Sequence, residues 1–115
     1  MTPAAREHLQ QIALFGRRAM RVLAEADGPL EDDWQRFFLI NHLLLMLGEN
    51  VIRLRRNHQD VLDGIDQPWS RIVGVRNLIA HQYDDLVAET VENIVKDFIP
   101  GPVEDLRSHL STHAP

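Results

Sequence analysis

Apolar residues return every three or four positions along almost the whole chain, and nowhere do they alternate every second position over the length of a strand. That periodicity commits the sequence to helices. Leu9, Ile12, Ala13, Ala19, Met20 and Leu23 mark a first helix over residues 3–25, with Thr2-Pro3 as N-cap and first-turn pair. Asp27-Gly28-Pro29 stops it, because proline cannot continue the hydrogen-bond ladder. Asp32 or Asp33 can cap the longest segment, whose stripe runs Trp34, Phe37, Phe38, Asn41, Leu44, Leu45, Gly48, Val51 and Leu54. Residues 57–67 read as a polar connection with at most one turn around Val61 and Leu62. Gln67-Pro68-Trp69 restarts helix, and Trp69, Ile72, Val73, Arg76, Ile79 and Ala80 share one face. After Asp84-Asp85 a fourth helix carries Val91, Ile94, Val95 and Phe98, with Glu92 and Lys96 spaced for an i,i+4 pair. Pro100-Gly101-Pro102 is expected to interrupt or kink it, leaving a short last helix over 103–110 and a loose tail over 111–115.

Four or five amphipathic segments on short loops predict an all-α, up-and-down four/five-helix bundle, one domain over residues 1–115. Phe38, Leu43, Leu47 and Ile52 fall on more than one face of the second helix. A helix apolar on several faces is buried by its own bundle and by a partner, which predicts a symmetric homodimer.

The absence of cysteine removes disulfides and thiolate chemistry and fits a reducing, cytoplasmic setting. The N-terminal residues lack the apolar core of a secretion signal, and the most apolar stretch, residues 37–47, is about half of a membrane span and contains Asn41 and His42. No membrane association is expected. A net charge of −5 argues against a protein that coats nucleic acid, yet the excess acid all lies after Tyr83. Six histidines (His8, His42, His58, His81, His109 and His113) are read as building no helix-bundle metal centre, so neither a metal nor another cofactor is expected. His42, on a hydrophobic helix, is placed in the core or an interface.

The chemistry-bearing stretch is residues 69–83. Arg76 on an apolar stripe must find an anion or remain an unpaired charge, and Glu49 is the likeliest structural carboxylate. His81 follows by five residues, about 140° around an ideal helix, so the two side chains diverge. Asn77 stands four residues before His81 and can orient the imidazole, while Arg76 and Tyr83, seven apart, share a face. A helix ending near Ala80 would free His81 to turn. The plainer readings are a helix-end histidine in solvent and a half-buried Tyr83 ring.

Arg76, Asn77, His81 and Tyr83 together resemble the R-x-x-x-x-H-x-Y motif of the HepT-like branch of the HEPN superfamily. Leu47-Gly48-Glu49, Pro68-Trp69 and Asp97-Phe98-Ile99-Pro100 match its surroundings, over about residues 35–110. The resemblance implies the toxin of a type VII-like toxin–antitoxin system: a metal-independent endoribonuclease cleaving tRNA or mRNA in a cleft between two protomers. It implies Arg76 on the scissile phosphate, His81 as general acid or base, and Asn77 fixing the imidazole or touching phosphate. RNA rather than DNA follows, since the nucleophile is the substrate's 2′-hydroxyl. It further implies that a MntA-type nucleotidyltransferase antitoxin silences the enzyme by attaching AMP to Tyr83. Arg53, Arg55 and Arg56, with His58, either line a path for RNA or form a solvated helix end. The rival readings are a catalytically silent HEPN module that binds a nucleotidyltransferase or nucleotide, and an unrelated helical interaction protein. Two departures from the family pattern stand out: Val87 replaces a capping Asp, a role Asp85 is expected to assume, and Gly101-Pro102 is expected to shorten the last helix.

Overall fold

The computed structural model of the chain describes residues 1–114, with Tyr83 described by its backbone alone. Helix α1 (Pro3–Ala24) is capped by Thr2, whose hydroxyl accepts from Ala5 N–H at 3.1 Å. Pro29 leads into a 3-10 turn (Leu30–Asp32), and Asp33 caps α2 (Trp34–Asn57) by accepting from Arg36 N–H at 3.1 Å. The polar connection holds the one short helix allowed for it, α3 (Gln59–Asp63), before α4 (Trp69–His81). A 3-10 turn (Tyr83–Asp85) precedes α5 (Ala88–Asn93), a π-turn (Ile94–Phe98) and α6 (Pro100–Thr112). Among the described residues there is no strand, and the expected all-helical bundle is what forms.

Helix α2 is the central element, packed on α1 along one side and on α4 along another, while α6 covers α1. Leu9, Ile12, Ile40, Leu44, Val51, Leu54, Ile72, Ile79, Ile99 and Leu106 are fully buried and form its core. By length and composition α2 could cross a membrane, but half of that window is buried in the bundle, as befits a core helix.

Several expectations are corrected. Leu43 and Leu47 point into the chain's own core, and the exposed large apolar side chains of α2 lie at its N-terminal end, where Trp34, Phe38 and Leu39 are 64%, 45% and 46% exposed. Trp34 and Phe38 meet edge-to-face at 5.7 Å. His42 is exposed and so does not belong to the core, and its neighbour Asn41 is the buried one. Among the described residues neither amide atom of Asn41 has a hydrogen-bond partner.

Glu92 does not pair with Lys96. Its carboxylate accepts from the N–H of fully buried Leu30 at 2.6 Å, where an unmade bond would cost more than a solvent-screened ion pair returns. Val87 occupies the N-cap of α5 without a side-chain bond, and Asp85 lies in the preceding 3-10 turn rather than taking over the cap. The proline pair does not shorten α6. The wider π-turn, closed by Ile99 N–H to Ile94 O at 3.0 Å, carries the chain into Pro100, and a proline in a first turn lacks only an N–H that would have no intrahelical partner.

The expected loose tail is helical as far as Thr112, and Arg6 clamps it through the carbonyls of His113 at 2.9 Å and Leu110 at 3.3 Å. Pro115 lies outside the described residues. His109 and His113 stand four apart on this end and stack at 4.0 Å, a spacing that the reading of the histidines passed over. Among the described residues no group of three His, Asp or Glu gathers around a common point.

Candidate functional site

The site forms where α4 returns along α2. Its position is set first by Trp69, whose indole Nε1–H reaches the carbonyls of Leu62 at 3.1 Å and Ile65 at 3.0 Å. These bonds tie the first turn of α4 to the preceding connection and so fix the register of everything after it.

Seven residues on, the backbone of α2 is approached so closely that only glycine fits. A Cβ at Gly48 would lie inside van der Waals contact of Arg76 Cβ and 2.7 Å from its Cγ. The stem of Arg76 therefore lies across the bare backbone of Gly48 and delivers its guanidinium to the next residue, Glu49. Arg76 Nε–H donates to Glu49 Oε1 at 2.7 Å, and Nη2 meets the same oxygen at 2.5 Å. Glu49 is thus the partner expected from sequence. Nη1 donates to Asn77 Oδ1 at 3.0 Å.

A guanidinium carries five N–H bonds, and these contacts use one on each nitrogen. Two N–H bonds remain, one on Nη1 and one on Nη2, without a partner among the described residues, and each is a charged donor of the kind a phosphate oxygen accepts from. With the side chains of Arg76 and Glu49 at 28% and 32% exposure, the guanidinium is held firmly and still reachable from solvent.

Among the described residues Asn77 makes no bond to His81: its amide oxygen accepts from Arg76 instead. His81 is the last residue of α4, exposed, and makes no hydrogen bond among the described residues. Because the helix runs on through His81 instead of ending near Ala80, the divergence of about 140° from Arg76 persists within one chain. The α-helix ends before Tyr83, whose backbone lies in the 3-10 turn. Its side chain, and with it the expectation for its hydroxyl, lies outside the described residues.

Arg53, Arg55 and Arg56 are all exposed on the last turns of α2, and none forms an ion pair among the described residues. Sequence reasoning passed over His8, whose Nδ1 lies 2.9 Å from the amide oxygen of buried Asn50. The signal is faint in the sequence, one histidine among the polar residues of the first helix.

A family model described as "Ribonuclease HepT-like" matches residues 17–110, a span that includes Gly48, Glu49, Arg76, Asn77, His81 and Tyr83. No curated protein and no solved structure matches the chain.

Proposed function

The chain belongs to the HepT-like ribonuclease family, and from that membership we propose that it is a metal-independent endoribonuclease, the toxin of a type VII-like toxin–antitoxin pair acting in the cytoplasm on tRNA or mRNA. The observation that carries this reading is the guanidinium of Arg76, held by Glu49 and Asn77 and left with two N–H donors for a phosphate.

In the reaction, the substrate's 2′-oxygen attacks phosphorus while the bond to the 5′-oxygen breaks, giving a 2′,3′-cyclic phosphate and a free 5′-hydroxyl. Arg76 neutralises the charge that builds on the phosphoryl oxygens. His81 removes the 2′-hydroxyl proton or delivers one to the departing oxygen, work suited to an imidazole. Asn77 holds the guanidinium plane, while Arg53, Arg55 and Arg56 offer cations to the flanking backbone.

Since Arg76 and His81 diverge on one helix, the working cleft is proposed to be built by two copies in a symmetric dimer. The exposed Trp34, Phe38 and Leu39 supply apolar surface for that contact. Tyr83, two residues after His81, is proposed as the point of control by a MntA-type nucleotidyltransferase. Its oxygen would take the α-phosphoryl group of ATP, pyrophosphate leaving, and the new phosphodiester would compete for Arg76 while the adenosine fills the cleft.

The rival reading, a catalytically silent member that binds a nucleotidyltransferase or nucleotide, draws on the ion pair of Arg76 with Glu49, which gives the arginine a structural purpose of its own.

Purified protein incubated with total RNA is expected to yield fragments ending in cyclic phosphate at the same rate with and without EDTA. Loss of cleavage in EDTA, restored by a divalent ion, would overturn the mechanism, and an inactive but folded wild type would establish the silent module. Tyr83→Phe is expected to cleave RNA at the wild-type rate yet gain no AMP when incubated with the cognate nucleotidyltransferase, ATP and magnesium, as read by intact mass. A Tyr83→Phe protein that is modified as readily as wild type would remove Tyr83 from the scheme.

A further inference from the structure

Asn50 is 3% exposed, and both ends of its amide are committed. Nδ2 donates to Met46 O at 2.9 Å, and Oδ1 meets His8 Nδ1 at 2.9 Å. A carbonyl oxygen can only accept, so Met46 fixes which way the amide faces and Oδ1 must point at the imidazole. The neutral ring of His8 therefore carries its proton on Nδ1, and Nε2 is left as an acceptor. A buried amide that dictates the tautomer of a half-buried histidine is more than a solvated surface requires.

This histidine lines a cleft of about 270 Å³ between α1 and α2, together with Glu7, Gln11, Phe15, Met46 and Arg53. An aromatic side chain, an amide, a carboxylate, a cation and an acceptor nitrogen are the groups that recognise an unstacked nucleoside. Glu7 and Arg53 balance in charge, so the cleft suits a base and sugar better than a chain of phosphates. It also adjoins the Arg76 site. Asn50 follows Glu49 by 100° and 1.5 Å on α2, and Arg53 stands one turn beyond both, on the ridge between the two sites.

We propose that this cleft is a nucleoside subsite for RNA, in which a base next to the cleaved linkage lies against Phe15, Gln11 and Glu7 bond its edge, and His8 Nε2 accepts a hydrogen bond from its 2′-hydroxyl. The proposal rests on the ribonuclease reading for its ligand. His8 lies outside residues 17–110, the span that the family model matches.

The test is binding, read by fluorescence anisotropy with a short labelled single-stranded RNA and its DNA counterpart, in the His81→Ala background to keep the probe intact. His8→Asn places an amide N–H where Nδ1 was, preserving the bond to Asn50, and deletes Nε2. It is expected to weaken RNA binding roughly five- to tenfold, with DNA affinity and melting temperature unchanged. Equal RNA affinity, or equal losses on RNA and DNA, would overturn the proposal. Should His8→Asn fail to fold, Gln11→Ala takes its place and is expected to weaken both probes, an unchanged affinity again being fatal. Cleavage by the wild type judges the nuclease reading separately, so the two can fail independently.

Discussion

Arg76→Ala and His81→Ala are each expected to abolish RNA cleavage, and an equimolar mixture of the two, refolded together, to regain about a quarter of the wild-type rate. The first half follows from chemistry: removing a positioned acid–base group costs on the order of 10²–10⁴ in rate, and removing a donor to the developing charge costs about 10²–10³. The second half follows from helix geometry. Both residues lie on the uninterrupted α4, separated by about 140° and 7.5 Å along the axis, so one phosphate is most readily served by Arg76 of one copy and His81 of another. On random pairing about half of the dimers are mixed, and each mixed dimer keeps one of its two sites whole. A mixture as dead as its parents would place both groups in one chain's own site. Light scattering at the same concentrations must give a dimer mass, and a monomer at every concentration would remove the shared cleft altogether.

The same pair of variants separates chemistry from structure. The ion pair of Arg76 with Glu49 is about one third exposed, and a pair screened to that degree contributes roughly 0–1 kcal/mol. Arg76→Ala is therefore expected to melt within a few degrees of wild type while losing its activity. A fall several times larger would make the guanidinium a structural prop.

What was legible in the sequence was whatever short-range chemistry decides. Thr2-Pro3 and Asp33 start helices because their side chains satisfy N–H groups within their own turn, and the 3.6-residue period places Ile72, Val73, Arg76 and Ile79 on one face wherever the helix goes. The Glu49 partner could be named because a cation on an apolar stripe admits few solutions. What could not be read depended on distant partners. Glu92 abandons the local Lys96 for an N–H at Leu30, sixty-two positions away. Leu43 and Leu47 looked like surplus apolar surface until α1 was seen to cover α2 along a second side. Pro100-Gly101-Pro102 read as a break because a regular ladder was assumed, whereas a π-turn just upstream let the helix continue. Asn77 was given to His81 by spacing, and the stronger charged donor beside it took its oxygen.

Gly48→Ala is expected to impair both the stability and the activity of this protein, in a way that propensity alone predicts with the wrong sign. Inside a helix, glycine is about 0.5–1 kcal/mol worse than alanine, so at an open position the change stabilises. At Gly48 the added Cβ would fall inside contact of Arg76 Cβ and within 2.7 Å of its Cγ, close to the root of that side chain, where rotation gives no escape. Helix α4 must move off α2, and overpacking of this kind costs about 1–3 kcal/mol, outweighing the gain in helix propensity. The displacement also carries the guanidinium away from Glu49, and a misplacement of about 1 Å at a reacting centre costs on the order of 10²-fold in rate. The expected result is a melting point lower by several degrees with cleavage down about a hundredfold. Gly74 is the matched control, on the same α4 with open space where its Cβ would be, so Gly74→Ala is expected to raise stability by about 0.5–1 kcal/mol and leave cleavage intact. If Gly48→Ala behaves like Gly74→Ala, the close approach of α2 and α4 is not what positions Arg76, and the account of how this fold builds its phosphate site falls with it.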